Sequence, residues 1–215
     1  MSYLLAAAVL PGALSAPATT VTDLVERQGS STNTFQNWKE GSGNFQCNNQ
    51  GNGKYSTRWS GQGGFVCGSG WKPGGARSFS FDCQYSPTGP GYLSVYGWTR
   101  NPLIEYYVVE AHGDLLPGEP WTSKGNVTID GAAYQLFQST RVNKPSIIGT
   151  TTFNQFWAVR TEPRTKGSLN SGSFFNAWKA AGMNLGQHDY MAFVTEGFTG
   201  PKGEQSSGTS QCQIT

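Results

Sequence analysis

A chain of 215 residues suits one domain able to bury roughly 70% of its unfolded surface, and its net charge of +2 with scattered Lys and Arg leaves no footprint for nucleic acid or an anionic membrane. Only 13% of the residues are charged, while 29 are glycine and another 13% are aromatic. That mixture disfavours long helices, favours short strands joined by tight turns, and with its Asn, Gln and Ser suits an uncharged, polyhydroxylated ligand.

The first segment, Met1 to Ala16, reads as a secretory signal. Its apolar run Tyr3–Leu10 is too short to span a bilayer, and Ala13-Leu14-Ser15-Ala16 ends in small residues suited to cleavage, although the usual basic start is missing. The polar stretch that follows ends in Glu26-Arg27-Gln28, which suggests a short propeptide over 17–27 and a mature domain over 28–215.

From Asn33 to Gly70 strand-like pieces alternate with glycine-rich spacers: Phe35–Trp38, Phe45–Asn48, Tyr55–Trp59 and Phe65–Cys67. Ser78–Tyr85 alternates polar and apolar residues, and Pro87-Thr88-Gly89-Pro90-Gly91 closes it before Tyr92. Gly125–Ile129, Ala133–Gln138 and Thr152–Arg160 complete a series whose short connections look like hairpins, which predicts an all-β sandwich of antiparallel sheets. One segment departs from this pattern. Phe174, Phe175, Trp178 and Ala181 recur at helical spacing, with Ser173 placed to cap the start and Gly182 to end it. Its aromatic stripe fits packing against a sheet.

Cys47, Cys67, Cys83 and Cys212 form an even set that implies two disulfides in an exported chain, with three pairings open. No two of them have zinc-knuckle spacing, and His112 and His188 are far apart in sequence, so a metal site is not expected. Asn126-Val127-Thr128 is the single N-glycosylation sequon.

Candidate chemistry lies in two strand-like runs. Successive strand side chains point to opposite faces, so in Ile104–Glu110 the residues Glu105, Tyr107 and Val109 share one face and Ile104, Tyr106, Val108 and Glu110 the other. A carboxylate among β-branched and aromatic residues is costly to bury. A solvated sheet face would explain Glu105, and so would a wet groove. In Tyr190–Gly197, Glu196 shares a face with Ala192 and Val194, and Glu105 and Glu196 are therefore the pair to test. Two carboxyl groups in an aromatic groove suit glycoside hydrolysis, one ionised to attack the anomeric carbon and the other protonated to release the leaving oxygen.

The string Tyr92–Glu110 closely resembles the nucleophile strand of the family-11 endo-β-1,4-xylanases. Arg141–Thr150 is similar to the thumb loop of that family, Thr152–Trp157 to the strand after it, Phe175–Trp178 to its single helix, and Thr195-Glu196-Gly197 to its acid/base strand. The resemblance implies a β-jelly-roll sandwich with one helix and a thumb, exported and monomeric, acting on xylan without metal, cofactor, nucleic acid or membrane. It implies Glu105 as nucleophile and Glu196 as acid/base of a retaining mechanism, with carboxyls roughly 5–5.5 Å apart. By the same resemblance Tyr96, Tyr107, Arg141 and Gln155 surround the nucleophile and the sugar, and Pro145 and Ile147 belong to the thumb. Trp38 stacks on a sugar ring, and Tyr92 and Tyr190 line the groove. Trp71, Trp98 and Trp157 suit packing at least as well as sugar contact.

The chain departs from the family pattern at Gly64, where Asn or Asp is usual beside the acid/base, and at Leu115 and Phe198, where groove tyrosines are common. Cys47, Cys67 and Cys83 stand at positions not generally cysteine, and Gly200–Gln205 lengthens the loop after the acid/base strand. Alternative readings are a xylan- or cell-wall-binding protein with little turnover, and a β-1,4-glucanase of similar sandwich fold.

Overall fold

The computed structural model describes residues 32–114 and 120–215; the expected signal segment, the propeptide and Leu115 lie outside them. The strands are β1 (Thr34–Glu40), β2 (Asn44–Gly51), β3 (Lys54–Gly61), β4 (Gly64–Trp71), β5 (Ser78–Thr88), β6 (Gly91–Arg100), β7 (Ile104–His112), β8 (Thr122–Ile129), β9 (Ala132–Lys144), β10 (Thr151–Arg160) and β11 (Lys166–Asn170). Helix α1 (Ser171–Ala180) then precedes β12 (Gln187–Phe198) and β13 (Ser206–Ile214). An eight-stranded sheet in the order β1-β4-β12-β6-β7-β10-β9-β8 faces a five-stranded sheet in the order β11-β5-β13-β3-β2, a β-jelly-roll sandwich.

Hairpins do not make most of this architecture, contrary to the expectation from loop length. Only β2–β3, β6–β7, β8–β9 and β9–β10 pair with their sequence neighbours, while β1–β2, β3–β4 and β5–β6 pass from one sheet to the other. The β7–β10 pair is parallel, with Gln155 opposite Glu105.

Side-chain alternation sorts the large sheet into two faces. Leu93, Val95, Tyr106, Val108 and Phe193 join Trp59, Phe79 and Phe81 of the small sheet in the inter-sheet core. Tyr92, Tyr96, Tyr107, Val109, Ala192 and Val194 form a second apolar cluster on the face turned away from the small sheet. Five strands cannot cover eight, and α1 fills the remainder: Phe174 packs on Tyr134 of β9 at 4.8 Å and Trp178 on Tyr106 of β7 at 5.8 Å. The helix starts earlier than Ser173. Asn170 is the N-cap, its side chain accepting from the Gly172 N–H at 2.9 Å. Gly182 ends it as expected, at φ 76°, with its N–H on Lys179 O and the Met183 N–H on Trp178 O.

The disulfides are Cys47–Cys67, tying β2 of the small sheet to β4 of the large one, and Cys83–Cys212, joining directly opposed residues of β5 and β13. Glu110, on the core face of β7, is fully buried; it accepts from Tyr134 Oη at 2.7 Å and pairs with Arg164. Arg160 Nη1 donates to the same tyrosine oxygen at 2.9 Å. Removed from the groove and already neutralised, this carboxylate is structural. Among the described residues no helix is long and apolar enough to cross a membrane.

Candidate active site

The outer face of the large sheet carries a cleft of about 800 Å³, and all eleven residues singled out from the sequence line it: Glu105, Glu196, Trp38, Tyr92, Tyr96, Tyr107, Arg141, Pro145, Ile147, Gln155 and Tyr190. They come from six strands and one loop. β6 lies between the two acidic strands, opposing Glu196 with Tyr92 and Glu105 with Trp98. Pro145 and Ile147 lie in the β9–β10 loop, whose turn is held by Ser146 N–H on Gly149 O at 3.1 Å and the reverse bond at 3.3 Å. Trp38, at the other end of the cleft on β1, is 45% exposed, an indole face open to a ring-shaped ligand.

Glu105 is buried but well supplied with donors. Oε1 accepts from Tyr96 Oη at 2.8 Å and Tyr107 Oη at 3.3 Å, and Oε2 from Gln155 Nε2 at 2.6 Å. Burial pushes its pKa up, and it stays raised although the Gln155, Tyr96 and Tyr107 hydrogen bonds and the Arg141 charge act against that rise. These donors are themselves positioned. Trp98 Nε1 donates to Tyr96 Oη at 2.7 Å, which leaves that hydroxyl proton for Glu105. Ser139 Oγ donates to Gln155 Oε1 at 2.9 Å and accepts from Trp157 Nε1 at 3.0 Å. The indoles of Trp98 and Trp157 are thus part of the site's support as well as its packing. Trp71 belongs to the inter-sheet core, with Phe79 at 5.0 Å and the Arg77 guanidinium 4.8 Å above its ring.

Glu196 has the opposite environment. Its Oε2 is sealed from solvent without a hydrogen-bond partner among the described residues. Burial and the Glu105 charge push its pKa up to about 8, against a hydrogen bond from Tyr107 and the Arg141 charge. The Tyr92 hydroxyl is also buried without a partner among the described residues, and its ring packs on Phe198 at 5.1 Å. Among the described residues no group of three or more His, Cys, Asp or Glu side chains is placed to hold a metal ion.

The model of the glycosyl hydrolases family 11 matches residues 30–212. The chain belongs to that family. Its relatives include Ethylene-inducing xylanase 1 of Botryotinia fuckeliana, 45% identical over 99% of this chain and 76% of that protein. Endo-1,4-beta-xylanase I of Cochliobolus carbonum is 47% identical over 92% of both chains. Among solved structures, one from a comparison of two major endo-1,4-beta-xylanases of Trichoderma reesei superposes with a TM-score of 0.78 at 40% identity, covering 86% of this chain and 99% of that one.

Within the family-11 cleft, sequence reading misses Ser139 and gives Trp98 and Trp157 packing or sugar contact, not support of the donors to Glu105. The available signal was alternation: Ser139 precedes Arg141 by two on β9 and so shares its face. Gly64 and Phe198 also line the cleft, and neither brings a hydroxyl to it.

Proposed function

We propose that the protein is an endo-acting, retaining glycosidase that cuts internal β-1,4-xylosidic linkages of xylan. The observation that carries this reading is the contrast between the two carboxyls of one cleft. Three donated hydrogen bonds favour the Glu105 anion. Glu196, raised to about 8, holds its proton at neutral pH. Glu105 attacks the anomeric carbon while Glu196 protonates the departing glycosidic oxygen, giving a glycosyl-enzyme. Glu196, now ionised, takes a proton from water, which attacks the same carbon and releases Glu105 with net retention. Gln155, Tyr96 and Tyr107 fix the nucleophile, and Arg141 adds positive charge beside both acids. Trp38 stacks on a xylose ring, Tyr92 and Tyr190 bind along the groove, and Pro145 and Ile147 close over the chain.

A binding protein has no need of an ionised and a protonated carboxyl side by side. Reducing-sugar release from xylan by the native protein, set against Glu105→Gln, tests the enzyme reading: the native protein releases sugar and the variant does not. Equal release by both overturns it. A parallel assay on cellulose tests the substrate, and faster cellulose cleavage overturns the choice of xylan.

Export belongs to the same reading. Residues 1–16 are removed as a signal and 17–27 as a propeptide, and 28–215 act as a monomeric catalytic domain; two disulfides suit an oxidising compartment. N-terminal sequencing of protein from the culture medium, with light scattering for its mass, tests this. A start at Gln28 supports the processing, and a retained Met1 overturns it.

A further inference from the structure

We infer that Asn126 carries an N-linked oligosaccharide; the inference rests on the export reading above. β8 is the edge strand of the eight-stranded sheet, paired with β9 alone. Within it Asn126 and Thr128 are exposed, while Val127, between them, is half-buried and pairs with Tyr134 of the core. The strand period thus turns both chemically required side chains of the Asn-X-Thr sequon outward and spends only the indifferent middle residue on packing. A sugar added to the extended chain before folding therefore remains compatible with the finished sheet.

The position also gives the modification a physical role. An exposed strand edge presents unpaired N–H and C=O groups that can recruit another chain. The first half of β8 is disrupted by the register shift between Ser123 and Gly125 and carries Lys124, two features that discourage such pairing. From Asn126 to Ile129 the ladder to β9 is regular, with no charged side chain. An oligosaccharide at Asn126 shields the half that bulge and lysine leave open. None of the β8 side chains lines the cleft.

The donor is a polyprenyl-diphosphate-linked oligosaccharide of the secretory pathway. The amide nitrogen of Asn126 bonds to the anomeric carbon of the first sugar. The bond from that carbon to the diphosphate oxygen breaks with its electron pair on the lipid diphosphate, and the amide proton goes to base. Nothing is oxidised or reduced.

The full chain, made in a fungal host that secretes it, is analysed from the medium by intact mass before and after digestion with a glycan-removing amidase, with xylanase activity measured on the same sample. The expected result is a mass excess of one oligosaccharide that the amidase removes, leaving Asp at position 126 in the peptide map. Asn126→Gln and Thr128→Ala each abolish the excess with activity on xylan unchanged, and the unmodified proteins aggregate faster on concentration. A secreted, active protein of unmodified mass overturns the glycan and leaves the export reading standing. Protein held inside the cell without sugar overturns both.

Discussion

Ser139 Oγ donates to Gln155 Oε1 at 2.9 Å, and this bond decides which end of the Gln155 amide faces Glu105. With the carbonyl end occupied, the NH2 group must point to the carboxylate, where Nε2 lies 2.6 Å from Oε2. Ser139→Ala frees the amide to flip and present an oxygen to an anion. The expected outcome is a kcat lower by about 10-fold, or roughly 1.4 kcal/mol of transition-state stabilisation, with KM nearly unchanged and partial rescue by Ser139→Thr. Equal losses in Ser139→Ala and Ser139→Thr, with a matching fall in thermal stability, would reduce the bond to a packing role.

The pH dependence follows from the two environments. Activity requires Glu105 ionised and Glu196 protonated, so kcat/KM falls above about pH 8 as Glu196 loses its proton. The same group links pH to stability. Its folded pKa is raised, so the folded state holds the proton more tightly, and stability is lost as pH rises from the ordinary carboxylate range towards about 8. Glu196→Gln removes this loss. Near pH 8 the inactive variant melts higher than the native protein, and at pH 4 the difference vanishes. Parallel melting curves across that range would contradict the assignment.

Gly64 offers a direct way to move the basic limb. Its φ is not in the left-handed region, and a Cβ there would meet Gly197 O at 3.6 Å, Phe198 Cβ at 3.7 Å and Trp38 Cζ3 at 3.8 Å, all ordinary contacts. Gly64 opposes Phe198, one inward position along from the Val66–Glu196 pair, and Glu196 Oε2 lacks a partner among the described residues. In Gly64→Asn an amide N–H stabilises the Glu196 anion, and the basic limb of kcat/KM shifts down by about 0.5–1 pH unit. Gly64→Asp instead places a second carboxyl beside the acid, and comparison of its acidic limb with the native one reports whether the two share a proton. Superimposable profiles for all three proteins would show the position to be inert.

The disulfides differ in the loops they close. Cys83–Cys212 spans a sequence separation of 129 and Cys47–Cys67 one of 20, so chain entropy favours the former by about 1.7 kcal/mol, with each worth roughly 3–5 kcal/mol. Urea denaturation of the Cys83→Ala/Cys212→Ala and Cys47→Ala/Cys67→Ala pairs should rank them in that order. The opposite ranking would place the stabilisation in the link between the sheets.

What the sequence displays depends on whether burial is apolar. β7 and β12 bury both faces, and their alternation singles out Glu105 and Glu196, whereas the cleft tyrosines are implied by the resemblance to the family. β13 hides because its inward positions include Ser206 and Ser210, whose hydroxyls are used inside the sandwich. Trp59 Nε1 donates to Ser206 Oγ at 2.7 Å, and Ser210 Oγ shares hydrogen bonds with Thr195 at 2.7 Å and Thr57 at 3.1 Å. No hydrophobic period announces such a strand. β11 is equally quiet, with Leu169 its one buried residue. The cysteine partners are long-range facts, set by which strands become neighbours; alternation puts Ser139 on the face of Arg141, but its bond to Gln155 depends on the β9–β10 pairing.

The place of β13 between β5 and β3 bears on how the polypeptide can be shortened or extended. The final strand is the keystone of the smaller layer, and the Thr215 N–H still bonds to Ser80 O at 2.9 Å. Trimming residues 206–214 would part that layer into two ribbons, β11–β5 and β3–β2, and uncover the hydroxyl network beneath Glu196. A fusion partner appended at Thr215 therefore needs a spacer long enough to leave these last rungs seated.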